Sequence, residues 1–394
     1  MERKRKQGMS IKDKITILIK KNHSMKWYIC ILICVALFAG LLIIGKMEKI
    51  EKAKAPAALT TSKVQMRVTF TGDIEVSDSI RKLANEIGYK RLCYGLTKYW
   101  RDSDYVVANV SGPVLEYNVE NYTSTRDADE NSYYIRPAAI RGFKDAGINI
   151  LGFANDDAFN YGVTGIRSTL RVMNDNALET IGINASSAEE IYNIKEYEYI
   201  NESGEVKLQK LAIFAVNDDI MKNSTMGENK EGIVNTTISD LYLQIYETSK
   251  VVEDVVVYVH FNEGESTRVT EEQTELAHAL IDAGAKVVIG NSTTMQKAEK
   301  YNRGLILYGI GSLITDEIHS DNLDSVLVDF VVRNNGETIV YLTPLRIQNG
   351  RPKVTQSDFY KKRIQSIITD GLKEGEYRIM DDGIIRISIK KIIN

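Results

Sequence analysis

Gly147-Ile148-Asn149-Ile150-Leu151-Gly152-Phe153-Ala154-Asn155-Asp156-Asp157-Ala158-Phe159-Asn160-Tyr161-Gly162 decides how the rest of the chain is read. It begins as a short apolar run, as a buried strand does, and stops on consecutive polar residues before an aromatic-glycine turn. A strand that ends on Asn and Asp sets oxygen atoms at the carboxyl edge of a sheet, where open α/β sheets bind ligands. Taken alone, Asn155, Asp156 and Asp157 are compatible with metal coordination, with hydrogen-bond recognition or with a polar turn.

The same pattern recurs in both directions along the chain. Upstream, residues 64–70 alternate apolar and polar as a strand does, and the run ends on Thr71-Gly72-Asp73. Asp73 there either faces the sheet edge or caps the helix expected from about residue 78. A second strand, 105–110, carries Asn109 and stops at Ser111-Gly112-Pro113. The polar segment 116–132 reads as an excursion over the site or as a plain solvated loop. Pro137 opens a helix, and the quoted strand follows it over 148–154. Downstream come a helix at 163–176, a short strand at 178–182, a hairpin turn at 201–204 and an apolar strand at 211–216. A helix at 238–251 then precedes Val255-Val256-Val257-Tyr258-Val259-His260, the plainest strand in the chain, with a histidine at its end. A helix at 271–283 and strands at 286–290, 305–308, 326–332 and 338–347 complete the pattern. Strands alternating with helices predict the α/β class with a largely parallel core.

Composition bounds the function classes. The chain has 394 residues, 26% charged and 43% apolar, with a formal net charge of -3, so nucleic acid is not an expected partner. Charge is concentrated at the start, where residues 1–26 hold nine Lys and Arg against Glu2 and Asp13. Residues 27–45 carry no charge, long enough for a helix of about 20 residues to cross a bilayer. Trp27 and Tyr28 stand at its inner edge, and the basic excess before it predicts a cytoplasmic N-terminus and an extracellular remainder. A cleaved signal peptide fits less well, because the basic region is long and Ala53-Lys54-Ala55 lies beyond a charged stretch. The expected organisation is a basic segment 1–26, a transmembrane helix 27–45, a linker 46–63, an α/β domain 64–349 and a C-terminal extension 350–394. Cys30 and Cys34 fall in the span and leave Cys93 alone, so the domain beyond it has no intramolecular disulfide to form.

The residues collected at strand ends are Asp73, Asn109, Asn155, Asp156, Asp157 and His260. Oxygen donors with one imidazole suit Mn, Mg, Fe or Zn, and such an ion activates water for hydrolysis. A lone strand-end histidine is also a common structural residue. No nucleophile elbow, phosphate-cradling glycine loop or cysteine ligand set is present in the sequence.

Five motifs in order make the chain resemble the CapA family, the poly-γ-glutamate capsule synthesis proteins of calcineurin-like metallophosphatase fold. Thr71-Gly72-Asp73 resembles the family's opening Gly-Asp, and Ala108-Asn109-Val110-Ser111-Gly112-Pro113 its Ala-Asn-Leu-Glu-x-Pro. The quoted stretch is similar to a strand ending in Ala-Asn-Asn-His followed by Asp-Tyr-Gly. Residues 275–285 are close to the family's helix, and Tyr308-Gly309-Ile310-Gly311-Ser312-Leu313 to its Leu-Gly-Asn-Phe region. The resemblance implies an αββα sandwich and, at Asp73, Asn155 and His260, a metal if one is retained.

Departures from the pattern carry the functional expectation. The family's Glu is Ser111, its Asn-His is Asp156-Asp157, and its Asp before Tyr-Gly is Asn160. Its Trp-Gly-x-Glu after the histidine is Phe261-Asn262-Glu263-Gly264, and its Gly-x-His-Pro-His is Gly290-Asn291-Ser292-Thr293-Thr294. The expectation is therefore a membrane-anchored, catalytically silent relative that needs no cofactor. Its partners would be a cell-surface polymer or that polymer's synthase and export proteins. The alternative is a remodelled hydrolase of a phosphoester or polymer amide, using a divalent Mn, Zn, Fe or Mg ion.

Overall fold

The computed structural model describes residue 35 and residues 64–124, 133–184, 192–201, 203–218, 232–233, 238–261 and 266–389. The expected membrane span at 27–45, with the segments 1–26 and 46–63 around it, lies outside the described residues apart from Val35. Among the described residues, no helix is long and apolar enough to cross a membrane.

Two mixed sheets face one another. In the first, β1 (Val64–Ile74), β2 (Tyr105–Val110), β3 (Ile150–Gly152) and β4 (Glu179–Ile181) lie side by side and parallel. On the other flank of β1 the sheet turns antiparallel through β13 (Asp324–Arg333) and β14 (Thr338–Gln348). β14 pairs in turn with β15 (Arg351–Val354) and β17 (Ile385–Ile389), and β16 (Tyr377–Ile379) closes that edge. In the second sheet, β7 (Val206–Asn217), β9 (Asp254–His260), β10 (Val287–Asn291) and β12 (Gly304–Leu307) run parallel. Its edges are β6 (Tyr192–Ile200), antiparallel to β7, and β11 (Ala298–Tyr301), antiparallel to β12. The two-residue strands β5 (Ile183–Asn184) and β8 (Gly232–Ile233) pair separately.

The side-chain alternation of the strands builds four layers. Phe70 and Val68 of β1, with Val328 and Phe330 of β13, meet Ile213, Ala215, Val256 and Tyr258 in one buried cluster between the sheets. The intervening residues point the other way. Val106, Ala108 and Val110 pack under the helices Pro137–Asp145 and Gly162–Asp175 through Ile140, Phe143 and Ile166. Ala212, Phe214, Val257 and Val259 pack under the helices Ile238–Ser249 and Glu271–Asp282 through Leu241, Ile245, Leu276 and Leu280. Strands covered on both faces have no polar side, which is why β7 and β9 read as continuous apolar runs. The order helix, sheet, sheet, helix is the sandwich that the family resemblance implies.

Boundaries shift where local bonds override pattern. β1 runs on to Ile74, because Leu313 N and Ile314 N both donate to Asp73 O, at 2.7 and 3.0 Å. The strand read over 148–154 contracts to Ile150–Gly152, and Asn155 N turns back onto Phe153 O at 2.9 Å. Asp73 caps nothing: the helix Asp78–Ile87 is capped by Ser77, whose side chain accepts from Ile80 N. Residues 351–389, beyond the expected domain end, supply β15, β16, β17 and the helix Asp358–Thr369, whose Ile364 and Ile368 join the inter-sheet core. Cys93 is a free, buried thiol, and burial pushes its pKa up to about 12.

Candidate functional site

Parallel pairing brings the strand ends into register. In the first sheet Asp73 stands beside Asn109, and Asn109 beside Gly152. In the second, Asn217, His260 and Asn291 stand beside one another. Two close backbone approaches tie these ends to the loop 309–313. A Cβ on Gly72 would sit 1.6 Å from Gly311 O, and one on Gly290 would sit 1.9 Å from Tyr308 O. Only glycine permits either contact.

Asp73 is the hub, and it is 1% exposed. Its Oδ1 accepts from Asn109 Nδ2 at 2.5 Å within its own sheet and from Asn291 Nδ2 at 2.6 Å across the sandwich. Its Oδ2 lies 3.6 Å from His260 Nδ1, beyond hydrogen-bond length. Asn155 lies behind Asn109, donating through Nδ2 to Val110 O at 2.8 Å. Sequence reasoning thus placed Asp73, Asn109, Asn155 and His260 at one sheet edge, and the structure brings these four together. Asp156 and Asp157 open the short turn Asp156–Phe159, for which Asn155 is the N-cap residue. Asp157 Oδ1 accepts from Asn160 Nδ2 at 3.0 Å and so holds that turn. Residues 262–264, where a further family motif falls, lie outside the described residues.

Asn291 and Glu75 are the members that sequence reasoning missed. Asn291 ends an apolar strand, as Asn109 does, and that was a usable signal. Nothing in the sequence marks Glu75, which needed the loop 314–317 to be placed. Its pKa rises from 4.5 to about 7. Burial is the main cause, followed by repulsion from Asp73, while a 2.8 Å hydrogen bond from Thr315 Oγ1 opposes it; Glu317 and Asp157 repel it further. Tyr133 is likewise raised by burial first, then by Glu75, Asp157, Asp316 and Glu317. Asp73, Asp157 and Glu317 thus act on Glu75, and Glu75, Asp157, Asp316 and Glu317 on Tyr133.

The donor set does not fit the two-metal centre of the metallophosphatase fold. Among the described residues, no three His, Cys, Asp or Glu side chains are grouped to hold a metal ion. The positions of the family's paired histidines serve the loop instead: Ser292 Oγ donates to Thr294 O at 2.8 Å, and Thr294 Oγ1 to Asn322 Oδ1 at 3.0 Å. His278 is no substitute, because its Nε2 lies 3.1 Å from Glu299 Oε1 and its ring stacks on Tyr301.

Comparison with known proteins shows the family. The family profile described as bacterial capsule synthesis protein PGA_cap matches residues 67–317, well over half of the chain. The capsule biosynthesis protein CapA of Bacillus anthracis is 26% identical over 377 residues, covering 94% of this chain and 88% of its own. The PGA biosynthesis protein CapA of Bacillus subtilis (strain 168) is 25% identical over 366 residues, covering 92% and 91%. Among solved structures, GAP50, the anchor in the inner membrane complex of Plasmodium, superposes with a TM-score of 0.42 at 13% identity, covering 77% of this chain and 95% of that one. The calcineurin-like phosphoesterase YfkN of Bacillus subtilis gives 0.37 at 16%, covering 74% and 89%. By the profile match and the motifs at its strand ends, the chain belongs to the CapA family of bacterial capsule synthesis proteins.

Proposed function

We propose that the chain acts at the cell membrane in the synthesis or export of a capsule-type surface polymer, of the poly-γ-glutamate class, without hydrolysing it. In this reading residues 27–45 anchor it once in the membrane, the basic N-terminus stays cytoplasmic, and the α/β domain works outside. There it binds the polymer or docks on the synthase and export proteins. The observation that carries catalytic silence is the bonding of Asp73. A carboxylate oxygen that would ligate a metal takes two carboxamide N–H donors, and hydroxyls stand where imidazoles are needed. Loss of several ligands removes the charge that lowers the pKa of a bound water, which is what a metal supplies in hydrolysis.

Gene deletion in the producing bacterium tests this, with surface polymer as the readout. The deletion is expected to abolish or sharply reduce the polymer, and His260→Gln to restore it as well as the unchanged gene does. Unaltered polymer in the deletion strain would refute the capsule role. A His260→Gln protein that is present but fails to restore polymer would favour the second reading, a remodelled hydrolase. That reading draws on the imidazole 3.6 Å from Asp73.

A further inference from the structure

The two helix layers of the sandwich carry opposite charge. The helices over the first sheet, Asp78–Ile87, Tyr89–Leu92, Thr97–Trp100, Pro137–Asp145 and Gly162–Asp175, hold nine Lys and Arg against four Asp and Glu. The helices Ile238–Ser249 and Glu271–Asp282 over the second sheet hold no Lys or Arg and six Asp and Glu. Solvent asks only that the outer face of a helix be polar and is indifferent to the sign of its charge. Segregation of the two signs gives each layer a field of its own.

On the basic layer the guanidinium groups of Arg81 and Arg136 lie over one ring, that of Tyr134, at 4.6 and 5.0 Å from its centre. Tyr161 meets the same ring edge-on at 6.1 Å. Arg81 pairs with Asp78 and donates through Nη2 to Val76 O and Tyr134 O, each at 3.3 Å. Arg136 donates to Tyr117 O. Among the described residues, neither Arg136 nor Arg141 pairs with a carboxylate. Both line a recess of about 430 Å³ between the helices Pro137–Asp145 and Gly162–Asp175. Of the two acids that also line it, Glu116 is neutralised by Arg171 at 3.0 Å, which leaves Asp175 against Arg136 and Arg141. Positive charge thus gathers at an open recess beside an aromatic ring already shared by two cations.

We propose that this basic face, centred on Arg136 and Arg141, is where an anionic chain with repeated carboxylates docks. The proposal rests on the polymer role above and names the part of the domain that meets the polymer. A guanidinium fork takes a carboxylate through two parallel N–H donors, and a face of one sign concentrates a polyanion near it. The acidic layer repels the same chain, so the two layers together decide which side of the domain the polymer follows. A recess admits the side groups of a chain, whereas a flat lipid surface reaches only its rim, and the occupant is therefore polymer and not anionic lipid.

Fluorescence anisotropy of labelled poly-γ-glutamate, titrated with the full-length protein in a neutral detergent, tests this. Saturable binding is expected. Arg136→Gln and Arg141→Gln should each weaken it about fivefold, and together by more than about tenfold. Lys362→Gln removes the same charge from an exposed position of the helix Asp358–Thr369 and should leave binding unchanged. If Arg136→Gln loses its fold by circular dichroism, Arg141→Gln alone decides the comparison. Soluble dihexanoyl phosphatidylglycerol is titrated in parallel as the anionic lipid. No saturable polymer binding overturns the proposal. So does binding that the two arginine substitutions weaken no more than Lys362→Gln does, and so does capture of phosphatidylglycerol in place of the polymer. None of these outcomes alters the polymer phenotype of the deletion strain, so the two proposals fail separately.

Discussion

Two buried aspartates flank β1, Asp329 of β13 beside its middle and Asp73 near its end, and they are treated in opposite ways. At mid-strand, Asp329 of β13 pairs with Thr69 in the ladder. Its Oδ1 accepts from Arg67 Nε at 3.1 Å, from Arg67 Nη2 at 3.0 Å and from Thr69 Oγ1 at 2.5 Å. Asp324, elsewhere on β13, is likewise held by Arg346 Nη1 at 2.7 Å and Arg363 Nε at 2.5 Å. At the far end of β1, Asp73 has two neutral amides and more acid above it. A buried carboxylate that the fold needs is given a cation of its own. Among the described residues no Lys or Arg pairs with Asp73, whose one possible cation is His260, 3.6 Å away.

Breaking the structural pair has the largest expected effect. Arg67→Ala strands the Asp329 carboxylate in the core and should cost about 3–5 kcal/mol, read as a lower denaturant midpoint. Glu75→Gln comes next, through pH. The folded-state pKa of Glu75 is raised from 4.5 to about 7. Its stabilising contribution is therefore full below 4.5 and lost as pH rises through 7. The unchanged protein should lose at most roughly 3 kcal/mol over that window, and the glutamine variant should lose none of it. Thermal melts at several pH values, without added divalent ions, check this. Ser77→Ala removes the helix cap that Asp73 does not provide, at a cost of about 1 kcal/mol in the same melts. Smallest of all is Asp73→Asn, expected to shift stability by less than about 1 kcal/mol. Its Oδ1 still accepts from Asn109 and Asn291, and its new amide stands 3.6 Å from His260 Nδ1. If Asp73→Asn proved as costly as Arg67→Ala, the contrast would collapse.

Much of the first sheet edge was legible because three of its four parallel strands carry a polar residue at or just past the end, β4 being the exception. Asp73, Asn109 and Asn155 follow apolar runs, and His260 closes the most regular run of all. What sequence could not show was which way those side chains bond. Whether Asn109 offers oxygen to a metal or nitrogen to Asp73 depends on a neighbour 36 residues away, and for Asn291 on one 218 residues away. The C-terminal strands were hidden for a different reason. β15 and β16 are short, half-exposed edge strands whose place is fixed only by pairing with β14 and β17. Departures from the family motifs were visible as letters. That Ser292 and Thr294 are absorbed into loop hydrogen bonds was not.

In the proposed reading the strand ends keep the sandwich and have given up its two-metal centre. Metal content of the full-length protein, purified without chelator and measured by mass spectrometry together with phosphodiester hydrolysis, tests it most directly. Far less than one Mn, Zn or Fe per chain is expected, with no hydrolysis on adding those ions. One or two such ions per chain, lost together with hydrolysis in Asp73→Asn, would contradict it.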